Sequence, residues 1–172
     1  MQLPLSKILK DGTFVELDIM RPQEESMVRA LLNAVILEGR TYPQVSPLGE
    51  KEFAAYWLVS QAFVVRTADE ILGAFYVKPN FPGRCRHIAN AGFIVPPHVR
   101  RKGIGRFMGE SMLLLARQEG FEAIMFNLVF ETNVASIHLW KSLGFEVIGK
   151  IPRAVKFADG SVIDALTMHR KL

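Results

Sequence analysis

Residues 92–105 read GFIVPPHVRRKGIG, and residues 106–120 continue RFMGESMLLLARQEG. Phe93 to Val95 is a short apolar run of the kind that ends a strand. Pro96 and Pro97 follow, and having no backbone N–H they halt a hydrogen-bond ladder. Next come the cations Arg100, Arg101 and Lys102, and then Gly103 and Gly105. From there Ile104, Phe107, Met108, Met112, Leu115 and Ala116 recur near the i, i+3, i+4 spacing of one helical face. The unit is strand, basic glycine loop, helix. Its physical meaning is an anion site: glycines let the backbone approach a ligand, and the first amides of a helix point outward, without internal partners, at its positive end.

The chain of 172 residues reads as one domain over 1–172, long enough to bury a substantial core. Its 49% hydrophobic and 22% charged residues are ordinary for a globular protein. The net charge of +4 is concentrated, because residues 95–109 hold Arg100, Arg101, Lys102 and Arg106 and no acid. A cluster at a helix start suits a compact polyanion such as a nucleotide phosphate. The extended basic stripe or aromatic platform of a nucleic-acid binder is not evident, so no nucleic-acid partner is expected. One cysteine, Cys85, leaves no internal disulfide and no thiol-based zinc site, and the four histidines lack metal-ligand spacing. No metal is expected. No apolar stretch approaches the roughly 20 residues of a membrane span, and MQLPLSKILK does not read as a secretory signal. A cytoplasmic setting with no membrane partner is the expectation.

Residues 1–12 give no assignable element. TFVELDIM (13–20) alternates as a strand, and Arg21-Pro22 leads into a helix with Met27, Ala30, Leu31, Ala34, Val35 and Leu37 on one side and Gly39 at its end. TYPQVSPL (41–48) is a loop, either a plain connection or the lining of a substrate pocket. A short helix over 50–59 precedes a hairpin of 62–66 with 71–77; 78–84 is a turn and 85–95 the strand entering the basic loop. AIMFNLVF (123–130) reads as a strand buried on both faces. Asn133 caps a helix closed by Gly144, and strands over 145–151 and 162–168 meet at an Asp159-Gly160 turn. The pattern predicts an α/β protein with a mixed sheet of about seven strands and helices on both faces.

The glycine loop is not a Walker P-loop, since its lysine precedes the glycines. Gly103, Gly105 and Gly109 also miss the dinucleotide fingerprint by one residue. Instead, Arg100-x-x-Gly103-x-Gly105 at a strand-to-helix junction resembles the acetyl-CoA loop of the GNAT superfamily of N-acetyltransferases. Asn133-x-x-Ser136-Ile-His-Leu-Trp140-Lys-Ser-Leu-Gly144-Phe145 is similar to that family's N-x-x-S-x-x-L-Y-x-K-x-G-F stretch, and the order of elements matches. The resemblance spans about residues 13–170 and is most specific over 85–150. NAGFIV (90–95) and FNLVFETN (126–133) look closest to enzymes acetylating small amines, including a fungal branch that acts on proline analogues.

The resemblance implies a GNAT-like fold with two splayed strands, acetyl-CoA as cosubstrate, and direct attack by an amine in a ternary complex. It places main-chain groups of Ile94 and Val95 on pantetheine. Amides from Arg101 through Lys102, Gly103, Ile104 and Gly105 to Arg106 fall on the pyrophosphate, with charge from Arg100, Arg101, Lys102 and Arg106. Asn133 and Ser136 fall on the pantetheine arm. Asn90 and Asn127 are lone amides in apolar strands: each is either a satisfied core amide or a catalytic group, Asn90 beside the thioester and Asn127 holding the acceptor. Trp140 stands where many relatives carry an acidic tyrosine, and an indole N–H donates without being a useful acid. His87 and Glu131 are candidate bases, beside solvent itself, while His138 reads as packing. The implied activity is acetylation of a small amine such as an amino acid, its analogue or a polyamine. A protein N-terminal acetyltransferase and a non-catalytic acyl-CoA sensor are the alternatives. The resembled family is often dimeric, which admits a homodimer and leaves the quaternary state open.

Overall fold

The computed structural model describes residues 2–172. Its elements, in chain order, are β1 (Leu5–Ile8), β2 (Phe14–Ile19), α1 (Glu25–Glu38), α2 (Glu50–Trp57), β3 (Ala62–Arg66), β4 (Ile71–Pro79), β5 (Ile88–Ile94), α3 (Ile104–Gln118), β6 (Ala123–Phe130), α4 (Val134–Ser142), β7 (Glu146–Lys156) and β8 (Val162–Lys171). The sheet has eight strands in the order β1-β2-β3-β4-β5-β6-β8-β7, one more than the sequence pattern predicts. The addition is β1, four residues that pair only with β2, too short for a period to register. Every neighbouring pair is antiparallel except β5 with β6.

Alternation along the central strands divides the core into two. Phe63, Val65, Phe75 and Val77 face the side covered by α3 and α4. Ala62, Val64, Ala74 and Tyr76 face α1 and α2. The α3 face is the predicted one, with Ile104, Phe107, Met108, Met112, Leu115 and Ala116 all buried. Gly109 lets α3 lie against α4, since a Cβ there would come within 2.6 Å of Leu143 and 3.1 Å of the Trp140 ring.

The α1 face differs from the sequence reading. Val28, Leu32, Val35 and Ile36 are buried, while Met27 and Leu37 are exposed. The cause is electrostatic. Glu24, in the 3-10 turn Pro22–Glu24, is itself buried and binds the Arg66 guanidinium at 2.9 Å, and Asp18 binds the same group at 2.8 Å. Turning Glu24 toward the sheet puts residues four, eight and eleven further on against it as well. Strand β5 also starts later than expected, because Gly83–Cys85 makes a 3-10 turn first. Strand β7 runs on to Lys156 through an irregularity between Ile151 and Val155.

Candidate active site

The site begins where the sheet comes apart. β5 and β6 pair only at Ile88↔Ala123 and Ala89↔Ile124, and from Asn90 onward they diverge. Across from the gap, β6 pairs with β8 at Phe126↔Met168 and then at Val129↔Leu166, so three steps on β6 face two on β8. That bulge re-aims Asn127, which is exposed in the opening rather than buried as its apolar strand suggests. A cavity of about 720 Å³ fills the gap. Its walls come from both layers, with Met108, Ser136, Leu139 and Trp140 on one side of the sheet and Val35, Tyr42, Tyr56 and Tyr76 on the other. It passes through the sheet.

At one mouth lies the glycine loop. Gly103 has φ 95° and Arg101 φ 69°, and Phe107 N–H is the first of α3 to find a helical partner, on the Gly103 carbonyl at 3.0 Å. The amides before it have no helical partner, and Arg101, Gly103, Gly105 and Arg106 line this end of the cavity, a helix start suited to phosphate oxygens. The loop cations are less available than their number suggests. The Arg100 guanidinium donates to both Glu38 carboxylate oxygens at 2.8 and 3.0 Å and to the Val95 carbonyl at 3.0 Å. Lys102 pairs with Asp11 at 3.3 Å and does not line the cavity. Arg106 reaches Glu110 at 3.5 Å and the Ser142 hydroxyl at 2.7 Å. Arg101 alone of the four has no carboxylate partner among the described residues. The anion site is therefore mainly a site of oriented amides, with Arg100 anchoring the loop to α1. Asn133 caps α4 by accepting from Ser136 N–H at 3.2 Å, and both residues line the cavity.

The other mouth is aromatic and amide-rich. All three tyrosines of the chain line it. The Tyr42 hydroxyl donates to the Phe93 carbonyl at 2.9 Å, which places the loop over 41–48 in the wall of the cavity. Gly92 leaves room for Tyr76, whose ring would lie 2.5 Å from a Cβ at that position. Burial holds the Tyr42 and Tyr76 phenols above their usual value, so both are donors rather than bases. Lys78 lies 4.9 Å over the Tyr76 ring and 5.4 Å over the Tyr56 ring, its ammonium pushed down by desolvation. Asn90 and Asn127 meet here through Asn80, which nothing in the sequence pattern singled out.

Several expected residues lie elsewhere. The Ile94 side chain is buried and its carbonyl is turned toward Gly73 on β4; the Ile104 side chain is buried in the core, while its amide belongs to the first turn of α3. The edge carbonyls at the gap are those of Phe93 and Val95, already capped by Tyr42 and Arg100. His87 is exposed and outside the cavity lining. Glu131 accepts from Asp164 N–H at 3.0 Å and binds Lys150 at 3.4 Å, so it serves the β6–β8–β7 margin and not the cavity. His138 is exposed rather than packed. Trp140 is 5% exposed, with ring centroids 4.8 Å from Phe93 and 4.6 Å from Phe126. No aspartate, glutamate or histidine is among the described residues that line the cavity.

Comparison with known proteins agrees with this architecture. The profile of the acetyltransferase (GNAT) family matches residues 32–145. N-acetyltransferase aca1 of Schizosaccharomyces pombe is 54% identical over 84 residues, a match covering 49% of this chain and 40% of that protein, less than half its length. The structure of a GCN5-related N-acetyltransferase from Kribbella flavida is 32% identical with a TM-score of 0.86, over 92% of this chain and 98% of that one. A phosphinothricin acetyltransferase from Sinorhizobium meliloti, solved in complex with acetyl-CoA, shares the fold at a TM-score of 0.84 and 19% identity, over 92% and 88% of the two chains. With the splayed sheet, the amide loop and the profile in agreement, the chain belongs to the GNAT family of acetyltransferases.

Proposed function

We infer that the protein transfers acetyl from acetyl-CoA to the amine of a small molecule of the amino-acid class. The observation that carries this reading is the cavity that pierces the sheet, with oriented amides at one mouth and amide and phenol groups at the other. Acetyl-CoA fits the first half. Its phosphates find the start of α3, and its extended arm finds the gap that β6 leaves beside β5. The cosubstrate supplies an acetyl thioester; the chain orients the amine toward the thioester carbon, so that a C–N bond forms as the C–S bond breaks, the coenzyme leaves as its thiolate and is protonated from solvent, and the amine proton passes to water. The 2.7 Å bond from Ala91 N–H to the Asn90 oxygen helps hold that side chain in place beside the gap. The lining holds no carboxylate to pair with the several cations of a polyamine, and the Lys78 ammonium over the Tyr56 and Tyr76 rings, next to the cavity though not among its lining residues, suits an acceptor carboxylate.

Free-thiol release from acetyl-CoA, measured across amino acids, cyclic imino acids, polyamines and short peptides, tests this directly. Release is expected with amino- or imino-acid acceptors and is expected to fall at least tenfold in Asn90→Ala. Release with peptides alone would shift the reading to a protein N-terminal acetyltransferase. Binding of acetyl-CoA without release on any acceptor would favour a non-catalytic sensor, the reading supported by the absence of a carboxylate or histidine from the lining.

That lining also makes a pH prediction. With no enzymic base against the amine, only the neutral acceptor reacts, so kcat/KM rises with pH toward the acceptor's own amine pKa. Two acceptors of different amine pKa are expected to show limbs displaced by that difference. A limb that stays fixed when the acceptor changes would instead identify an enzyme group, with Lys78 the first to replace.

A further inference from the structure

Three asparagines from three parts of the chain form one hydrogen-bonded chain at the root of the gap. Asn80 follows β4, Asn90 lies on β5 and Asn127 on the β6 bulge. Asn80 and Asn127 make a reciprocal amide pair: Asn80 Nδ2 donates to Asn127 Oδ1 at 2.8 Å, and Asn127 Nδ2 donates to Asn80 Oδ1 at 2.7 Å. Asn90 Nδ2 donates to the same Asn80 oxygen at 3.2 Å, which uses both of its lone pairs. Asn90 Oδ1 in turn accepts from Ala91 N–H at 2.7 Å.

That last bond sets the polarity of all three side chains. An asparagine amide can be turned end for end with little change in shape, so its orientation is decided by its partners. A backbone N–H only donates, which fixes Asn90 with its oxygen toward Ala91 and its nitrogen toward Asn80. Asn80 must then present oxygen to Asn90, and the same oxygen faces the Asn127 nitrogen. Through Asn80 the orientation of Asn127, 47 positions from Asn80 in sequence, is dictated by the main chain of β5. Each of Asn90 and Asn127 keeps one N–H and one oxygen lone pair for a ligand in the cavity.

We propose that Asn80 is a positioning residue for acetyl transfer, passing the amide orientation that the main chain fixes at Asn90 across the gap to Asn127. Its role in turnover rests on the acetyl-transfer reading above; its role in orientation does not. Asn80→Ala removes the shared acceptor and frees the Asn127 amide to turn, while Asn90 loses one partner but keeps the bond from Ala91 N–H. Asn80→Asp keeps an acceptor for both nitrogens but cannot donate to Asn127 Oδ1 while ionised, and a protonated carboxyl can.

The test pairs two measurements on the intact protein. In ¹H–¹⁵N spectra of the side-chain amides, Asn80→Ala is expected to shift the Asn127 and Asn90 signals strongly, with the backbone spectrum otherwise native. In steady-state assays Asn80→Ala is expected to lower kcat on the order of 10- to 100-fold with acetyl-CoA affinity unchanged. Asn80→Asp is expected to be equally impaired at about pH 8 and to recover relative to wild type as pH falls through the carboxyl titration range. Unshifted Asn127 and Asn90 side-chain signals in Asn80→Ala, or wild-type kcat in both variants, would overturn the assignment. A wild-type protein that transfers acetyl to no acceptor would overturn the catalytic reading, and with it the role in turnover, while the spectra alone decide the orientation.

Discussion

Replacing Gly103 and Gly105 together by valine is expected to weaken acetyl-CoA binding at least ~100-fold, a loss of about 2.7 kcal/mol. Gly103 sits at φ 95°, a conformation that costs an L-residue about 1–2 kcal/mol and a β-branched one more. A valine there relaxes by turning its peptide planes, and those planes carry the amides that face the cavity. The Gly105 position is gentler at its first carbon, where a Cβ would lie 3.5 Å from Leu139. An alanine at 105 is therefore a fair control, expected to bind within a few fold of wild type. Titration calorimetry checks the pair, with circular dichroism confirming a native fold. Arg100→Ala should behave differently, because its guanidinium is engaged by Glu38 and Val95, so its loss loosens the loop's attachment to α1 before it removes a phosphate contact. Affinity within threefold of wild type in the double variant would mean that oriented amides do not carry the anion.

Trp140→Ala is expected to cost about 3–5 kcal/mol of stability, a melting-temperature fall of roughly 6–20 °C for a domain of this size. The indole is 5% exposed and wedged among Phe93, Phe126 and Phe145, with Gly109 of α3 against its edge. Its removal opens a void between the two strands of the gap and the helix that covers them. Trp140→Phe keeps most of that volume and is expected to melt within a few degrees of wild type and to retain most of its turnover. The contrast separates packing from chemistry at the position where many relatives carry a phenol. A folded Trp140→Phe protein with kcat down a hundredfold would show that the indole N–H is needed by the reaction.

What could be read from the sequence follows the range of the interactions. The strand–loop–helix unit, the α3 face, the β6 boundaries and the Asn133 cap are local, and each is present as expected. The α1 face differs from its sequence reading because two overlapping apolar registers fit one helix, and Arg66, 42 positions from Glu24, favours the other one. Arg100 and Lys102 look like free charge because their partners, Glu38 and Asp11, lie far away in the chain. Asn90 and Asn127 stood out as polar interruptions of apolar strands. Asn80 did not, since it sits in a turn where asparagine is unremarkable, and its meaning arises only when β6 is laid beside the hairpin. Glu131 looked available for catalysis until Lys150 and the Asp164 amide claimed it.

The capped carbonyls of β5 have a consequence for solubility. A strand with one side unpaired, held open inside a sheet, invites any passing extended polypeptide to add itself as a new rung. Here the Tyr42 hydroxyl occupies the Phe93 carbonyl, the Arg100 guanidinium occupies the Val95 carbonyl, and Pro96 ends the run. A foreign strand would have to fit around both side chains to reach those acceptors in sequence. A slender chain needing only one or two contacts, such as the arm of the cosubstrate proposed above, demands less of the edge, so the caps favour a thin ligand over an added strand.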